Sequence, residues 1–334
     1  MIQSRLMRRK IIDMTNIRIP AENSDTIAAN LFETQYFKIL DDRTKTSKQY
    51  SLGFDCLDKL IFKPASMHEL TIIAGESGTG KSLFSLAMEI ELLKRGTCVV
   101  KIFPEMGQAR NHDRFLSMIT KMVTKNLNKE LLGKPDYLKE IKYKISQFRE
   151  LTNRYYPYDN RNVSVEGLRE IFIGAKKYFS EAGALPEDEY MIVFIDLLSL
   201  LKDWGTTAPD IEESLAHLNR IMGEFPVHIV GIVQTNEANQ RTPKTMHDQY
   251  LTVYNIKNSA TYKERARDVL IINRPSVIAK RIGLSYTGQD ILDVSLVKSN
   301  DGELGSAKFL FEHSNGLRIS PLTPNTANGV NISK

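Results

Sequence analysis

Residues Gly75-Glu76-Ser77-Gly78-Thr79-Gly80-Lys81-Ser82 constrain this chain more than any other feature. They fit G-x-x-x-x-G-K-[ST] between an apolar run ending at Ala74 and an amphipathic stretch opening at Ser82, which reads as strand, tight loop and helix. Gly75, Gly78 and Gly80 let the backbone bend until successive N–H groups face one anion. Glu76, Ser77 and Thr79 add their backbone to the same cradle. The helix that starts near Lys81 contributes the positive end of its dipole. Lys81 is placed to reach the β- and γ-phosphates, and the Ser82 hydroxyl to ligate Mg²⁺. The expected ligands are ATP and Mg²⁺.

The rest of the chain supplies the frame such a loop needs. Short β-rich runs at Leu70–Ala74, Cys98–Phe103, Tyr155–Tyr158, Met191–Ile195, Val227–Val233, Val269–Ile272, Leu292–Val297 and Ala307–Phe311 alternate with helical stretches such as 82–93, 164–179 and 211–224. Continuous apolar strands separated by helices predict an α/β fold, a mainly parallel twisted sheet covered on both faces. The last two runs flank Asn300-Asp301-Gly302-Glu303-Leu304-Gly305 and read as a β-hairpin added to that sheet. Three regions are expected. Residues 1–45 form an extension with one helix through Ile27, Leu31, Phe32, Phe37 and Leu40, capped at Ser24 or Asp25. Residues 46–315 form the ATPase domain. Residues 316–334, rich in Asn, Ser, Thr and Pro, form a flexible tail.

Composition excludes several classes. No apolar run approaches the roughly 18 to 20 residues of a membrane helix, and no signal-peptide core follows the basic start Arg5, Arg8, Arg9, Lys10. A cytoplasmic protein is expected. Cys56 and Cys98 are isolated, so neither a zinc site nor a disulfide framework is expected. The net charge is +5, and residues 121–161 alone hold ten Lys or Arg against five Asp or Glu. That stripe is either a solvated helix face or a surface for nucleic-acid phosphates.

Met191-Ile192-Val193-Phe194-Ile195-Asp196 is an apolar strand ending in a carboxylate, the pattern of a second Mg²⁺ ligand beside a phosphate loop. Two more strand ends carry chemistry. Phe103 is followed by Pro104-Glu105-Met106, and Val233 by Gln234-Thr235-Asn236. A carboxylate beside the phosphate-loop strand can orient a water in line with the γ-phosphate. A glutamine at the next strand end can hydrogen-bond that phosphate and move when it leaves.

This order resembles the hexameric replicative helicases of the DnaB type and their bacteriophage relatives, and more distantly the RecA-like recombinases. The resemblance runs from about Leu52 to about Arg318. Leu52-Gly53-Phe54-Asp55-Cys56-Leu57 resembles the family's entry segment, and Phe103-Pro104-Glu105-Met106 its S-L-E-M segment. Phe194-Ile195-Asp196-Leu197-Leu198-Ser199-Leu200 is similar to I-D-Y-L-Q-L, and Gln234 falls where S-Q-L places a glutamine. Ser259 to Val269, with Glu264 and Asp268, is a looser match to S-G-A-I-E-Q-D-A-D-V. The resemblance implies a RecA-like core and an ATP-driven hexameric ring on single-stranded DNA, with Glu105 activating water and Gln234 sensing the γ-phosphate. It also implies that the loop after Gln234 grips the DNA backbone through Arg241, Lys244 and Lys257.

One position departs from that pattern. The family's hairpin carries K-x-R, whose cations reach a neighbouring subunit's ATP. Here Lys298-Ser299-Asn300 keeps the lysine and replaces the arginine with Asn300. Lys298 alone suffices, or Arg281 or Arg318 compensates, or hydrolysis is weak. Two other functions stay open: a recombinase-type filament on single strands, and a slowly hydrolysing ATP switch that serves as scaffold or loader. The collar and primase domains of the bacterial helicases have no counterpart here. The resemblance implies a helicase loader or a primase as partner.

Overall fold

The computed structural model describes residues 37, 51–61, 66–105, 107–123, 133–235, 250–256, 259–313 and 316–322. The chain divides into Met1–Gln49 and Tyr50–Lys334, and the architecture below is that of the second unit. Of the helix expected in the extension, only Phe37 is described, and it is helical.

One nine-stranded sheet organises the unit. Its strands are β1 (Glu69–Gly75), β2 (Cys98–Ile102), β3 (Tyr155–Tyr158), β4 (Met191–Asp196), β5 (Val227–Gln234), β6 (Asp268–Asn273), β7 (Ile291–Ser299), β8 (Gly305–Glu312) and β9 (Arg318–Pro321), in spatial order β3-β2-β4-β5-β1-β6-β7-β8-β9. Neighbours from β3 to β6 pair in parallel, and β7, β8 and β9 follow antiparallel. All eight expected strands form, and β7 and β8 make the expected hairpin.

The helices among the described residues are α1 (Asp55–Leu60), α2 (Lys81–Lys94), α3 (Gln108–Thr120), α4 (Pro135–Ser146), α5 (Arg149–Thr152), α6 (Leu168–Glu181), α7 (Ala208–Met222), α8 (Ser259–Arg265) and α9 (Pro275–Arg281). The α7 start is locally encoded: the Thr207 hydroxyl and the Asp210 carboxylate each accept from the other's backbone N–H, and Pro209 occupies the first turn.

Strand alternation divides the core into two layers. On one face Ile72, Val100, Val193, Ile195 and Ile229 pack with Phe172 and Phe179 of α6 and Leu215, Leu218 and Ile221 of α7. On the other, Ile73, Val99, Ile192, Phe194 and Ile232 meet Phe84, Met88 and Leu92 of α2, with Phe54 and Phe309. Each such side chain contributes about 1.5–3 kcal/mol by leaving water. Coverage on both faces explains why these strands are almost uninterrupted apolar runs.

The sheet continues beyond residue 316. Arg318–Pro321 pairs with Phe309–Glu312 as β9, because Ile319 is apolar and buries against the α2 layer. The described residues 133–161 of the basic segment form α4, α5 and the edge strand β3. α4 buries only Ile141 and turns its lysines outward, with Lys144 pairing Glu140 at 2.7 Å. No helix among the described residues is long and apolar enough to cross a membrane.

Candidate functional site

The parallel strands β2, β4, β5 and β1 lie side by side, so their C-terminal ends share one edge of the sheet. Such an edge is where open α/β folds bind ligands. Gly75 ends β1 there and lies opposite Gln234 in the register. Between Gly75 and α2 the chain makes the tight loop expected from the motif. Gly78 (φ 79°) and Gly80 (φ 101°) adopt left-handed backbone, a conformation that costs other residues roughly 1–2 kcal/mol. Gly75 serves differently. A Cβ there would stand 3.0 Å from Thr79 Oγ1 and 3.1 Å from the Ile272 carbonyl oxygen, so it is needed for close approach.

Lys81 is buried and folds back over the loop, donating to the Gly75 carbonyl at 2.8 Å and the Glu76 carbonyl at 2.7 Å. Burial lowers its ammonium pKa to about 8, against the opposing pull of Asp196, Glu105 and Glu76. Thr79 Oγ1 donates to the same Glu76 carbonyl at 2.8 Å. The loop therefore presents a desolvated cation at the start of a 14-residue helix, a setting that favours an oligophosphate.

A cavity of about 230 Å³ opens beside the loop, lined by Ser77, Gly78, Gly80, Lys81, Ser82, Leu83, Glu105, Arg114, Leu197, Gln234 and Arg274. It brings Glu105 and Gln234, distant in the sequence, to Lys81 and Ser82. Asp196 lies at the adjoining end of β4 with its side chain 2% exposed, and its Oδ1 is buried without a hydrogen-bond partner. A buried carboxylate oxygen without a hydrogen-bond partner, at the strand end next to cavity-lining Leu197, is the kind of donor a hard divalent cation takes, and Ser82 in the cavity adds a hydroxyl. The residues present thus fit Mg²⁺. A larger hollow of about 790 Å³, between α1, the outer face of α2 and β9, holds none of the phosphate-loop residues.

Two arginines of the cavity escaped the sequence reading. Arg114 lies on α3, whose sparse apolar residues concealed the helix. Burial lowers its pKa, an effect that Arg110 reinforces and Asp196 and Glu105 oppose. Arg274 follows β6 directly, so the strand-end rule that found Glu105 and Gln234 could have found it too. Its guanidinium pairs with Asp290 and stacks on Phe311 at 4.0 Å.

The remaining candidates lie elsewhere. Arg281 pairs with Glu76 of the loop, and Arg318 with Glu312 at 3.8 Å on β9. Lys298 is not in the cavity. It pairs with Val269 near the start of β6, at the opposite end of the sheet, and donates to the carbonyls of Ala266 and Arg267 and to Asn300 Oδ1. Arg241, Lys244 and Lys257 fall outside the described residues. Thr235, one residue beyond Gln234, forms an isolated antiparallel bridge with Ile256.

A phosphate loop and a strand-end glutamate in one cavity, with a buried carboxylate at the adjoining strand end, define a P-loop ATPase with a RecA-like core. Residues 50–316 match the family model of the DnaB-like helicase C terminal domain, and the chain belongs to that family. Its activity is that of an ATP-driven DNA helicase of the replicative type. Solved structures agree on the fold. One of them, an ATPase domain, superposes with a TM-score of 0.71 at 17% identity, over 87% of this chain and 98% of that one. A DnaB-like replicative helicase, described with its interactions with primase, gives 0.65 at 17% identity over 93% and 69%. A KaiC-like protein from the archaeon Pyrococcus horikoshii gives 0.50 at 15% over 82% and 99%. No curated protein sequence matches the chain significantly.

Proposed function

We propose that the chain works as a ring, a hexamer of identical subunits, that moves along single-stranded DNA and separates duplex ahead of it. The observation that carries this reading is the cavity shared by Lys81, Ser82, Glu105 and Gln234, with Thr235, the residue after Gln234, bridged to Ile256. Residues Gly75 to Ser82 cradle the triphosphate, and Lys81 leaves its two carbonyl partners for the β- and γ-phosphates. Ser82 and Asp196 would hold Mg²⁺, which neutralises charge developing on the phosphate oxygens. Glu105 orients the attacking water, and Arg114 adds positive charge at the same cavity. Gln234 senses the γ-phosphate and passes its loss to the adjoining loop, where Arg241, Lys244 and Lys257 grip the DNA backbone. Lys298 acts on the neighbouring subunit's nucleotide. In this reading 1–45 is an extension, 46–315 the motor and 316–334 a tail whose first residues complete the sheet. Its site of action is the cytoplasm, and a loader or a primase is a fitting partner.

A second reading, a slowly hydrolysing ATP switch, is favoured by one observation. Asn300 occupies the arginine position and holds Lys298 within its own chain. Steady-state ATP hydrolysis with and without single-stranded DNA separates the two, with Lys81→Ala as the blank. The motor predicts stimulation of about tenfold or more, abolished in the variant. A slow rate indifferent to DNA overturns the motor and leaves the switch.

A further inference from the structure

A lysine lies buried beneath the metal site, which is costly unless it has a task there. Lys101, midway along β2, is 1% exposed, and its Nζ stands 3.9 Å from Asp196 Oδ2. The same Nζ is held by Glu89 Oε1 at 2.7 Å and by Ser85 Oγ at 3.0 Å, both on α2. Glu89 is itself 0% exposed. Its second oxygen accepts from the Tyr155 hydroxyl at 3.2 Å, and that hydroxyl accepts from Asn111 Nδ2 at 3.3 Å. Asn111 belongs to α3, the helix that carries Arg114. The Asp196 carboxylate thus faces a fixed cation on one side, while its other oxygen, Oδ1, has no partner.

We propose that Lys101 and Glu89 are positioning residues that set the affinity of Asp196 for Mg²⁺. The proposal rests on the reading of Asp196 as a metal ligand. Lys101 orients the carboxylate before the ion arrives, and its charge opposes the ion once bound. Glu89 offsets most of that opposition by pairing with Lys101. The two charges have opposite effects on a divalent cation at Asp196, and Lys101 is the nearer of them. Removing only the Glu89 charge leaves an ammonium without its counter-charge on α2, 3.9 Å from Asp196, and weakens metal binding by about tenfold. Removing both charges takes away the nearer cation, so Asp196 binds the metal more tightly than in the parent.

The test uses Mn²⁺ as a spectroscopic substitute for Mg²⁺. Free Mn²⁺ is counted by electron paramagnetic resonance as it is titrated into the full chain with a non-hydrolysable ATP analogue. The variants are Glu89→Gln, Lys101→Met with Glu89→Leu, and Asp196→Asn. The expected order of dissociation constants has Glu89→Gln about tenfold above the parent and the double variant severalfold below it. Breaking a buried pair can unfold a protein. The double variant is uncharged and close in volume, so its result decides alone if Glu89→Gln does not fold. Constants for the folded variants within twofold of the parent, with Asp196→Asn weakened, overturn the positioning role and leave a purely structural pair. An unchanged Asp196→Asn overturns the metal-site reading itself, and this proposal with it.

Discussion

His228 offers a quantitative test of how the floor of the sheet is held together. It lies on β5, 0% exposed, with one ring nitrogen, Nδ1, 2.9 Å from the Ser66 carbonyl oxygen and the other, Nε2, 3.0 Å from Thr71 Oγ1 on β1. A carbonyl can only accept, so Nδ1 carries the proton and Nε2 accepts from the threonine hydroxyl. The neutral ring is therefore fully satisfied. Burial disfavours the charged form and lowers the pKa from 6.5 to about 4; the Ser66 hydrogen bond opposes this shift and nearby Arg267 reinforces it. In the unfolded chain the ring protonates near 6.5. Between those values the unfolded state binds a proton that the folded state refuses, so stability falls as pH drops through this window. A shift of about 2.5 units at 1.36 kcal/mol each gives a total near 3.4 kcal/mol, of which about 2.5 kcal/mol is lost between pH 7 and 4.5. His228→Gln keeps a donor and an acceptor but does not titrate. Urea unfolding of both proteins at the two pH values yields a double difference in which the carboxylates common to both cancel. The parent should lose about 2.5 kcal/mol more than the variant. Losses that agree within about 0.5 kcal/mol would refute the argument, because they would mean the ring is already hydrated or charged in the folded state.

Two further outcomes follow from the site and the core. Glu105→Gln should lower ATP turnover by roughly 10²- to 10⁴-fold, while fluorescent-nucleotide binding stays within a fewfold of the parent, since in its proposed role the residue acts on water. Phe172→Ala should destabilise the unit by about 3–5 kcal/mol in the same urea assay, because Phe172 is fully buried in the α6–α7 layer and stacks edge-on with Phe225.

What could be read from the chain alone depended on how each element is buried. The eight strands from β1 to β8 were legible because covered strands are apolar runs bounded by turns. β9 was hidden because an edge strand of four residues needs only Ile319 to point inward, and its polar neighbours read as a tail. α3 was hidden for a related reason. Gln108, Arg110, Asn111, His112 and Asp113 give its first turns no apolar stripe, and Phe115 alone of its apolar residues is deeply buried. Missing α3 meant missing Arg114. The phosphate loop needed no such help, since its chemistry dictates residue types within eight consecutive positions. Lys101 shows a signal left unread. A lysine within Cys98-Val99-Val100-Lys101-Ile102-Phe103 breaks a strand that must be covered on both faces, and such a residue requires a buried partner. Where that partner lies, at Glu89 twelve residues upstream, is set by the packing of α2 on β2 and by no local pattern.

The two ends of the sheet also bear on assembly. Val269, the partner of Lys298, lies on β6, whose first residue, Asp268, aligns with Thr71 of β1. The β7–β8 turn therefore leaves the sheet at the end away from the phosphate loop, and Gly75 lies four residues further along β1, about 13 Å up the strand. A lysine held at that end by Ala266, Arg267 and Asn300 has no route to the phosphates of its own subunit that keeps these strands paired. If Lys298 contributes to hydrolysis, it does so on a second copy whose phosphate-loop end faces this turn. Such a contact joins two different surfaces, so it is head-to-tail, and repetition gives either a closed ring or an open helix. Light scattering with nucleotide separates them, because a ring reaches a fixed mass whereas a filament grows with protein concentration. Lys298→Ala adds the chemical test. Mixed with Lys81→Ala subunits, it should recover part of its lost turnover if the lysine acts across the interface, and none if it acts only through the fold of its own chain.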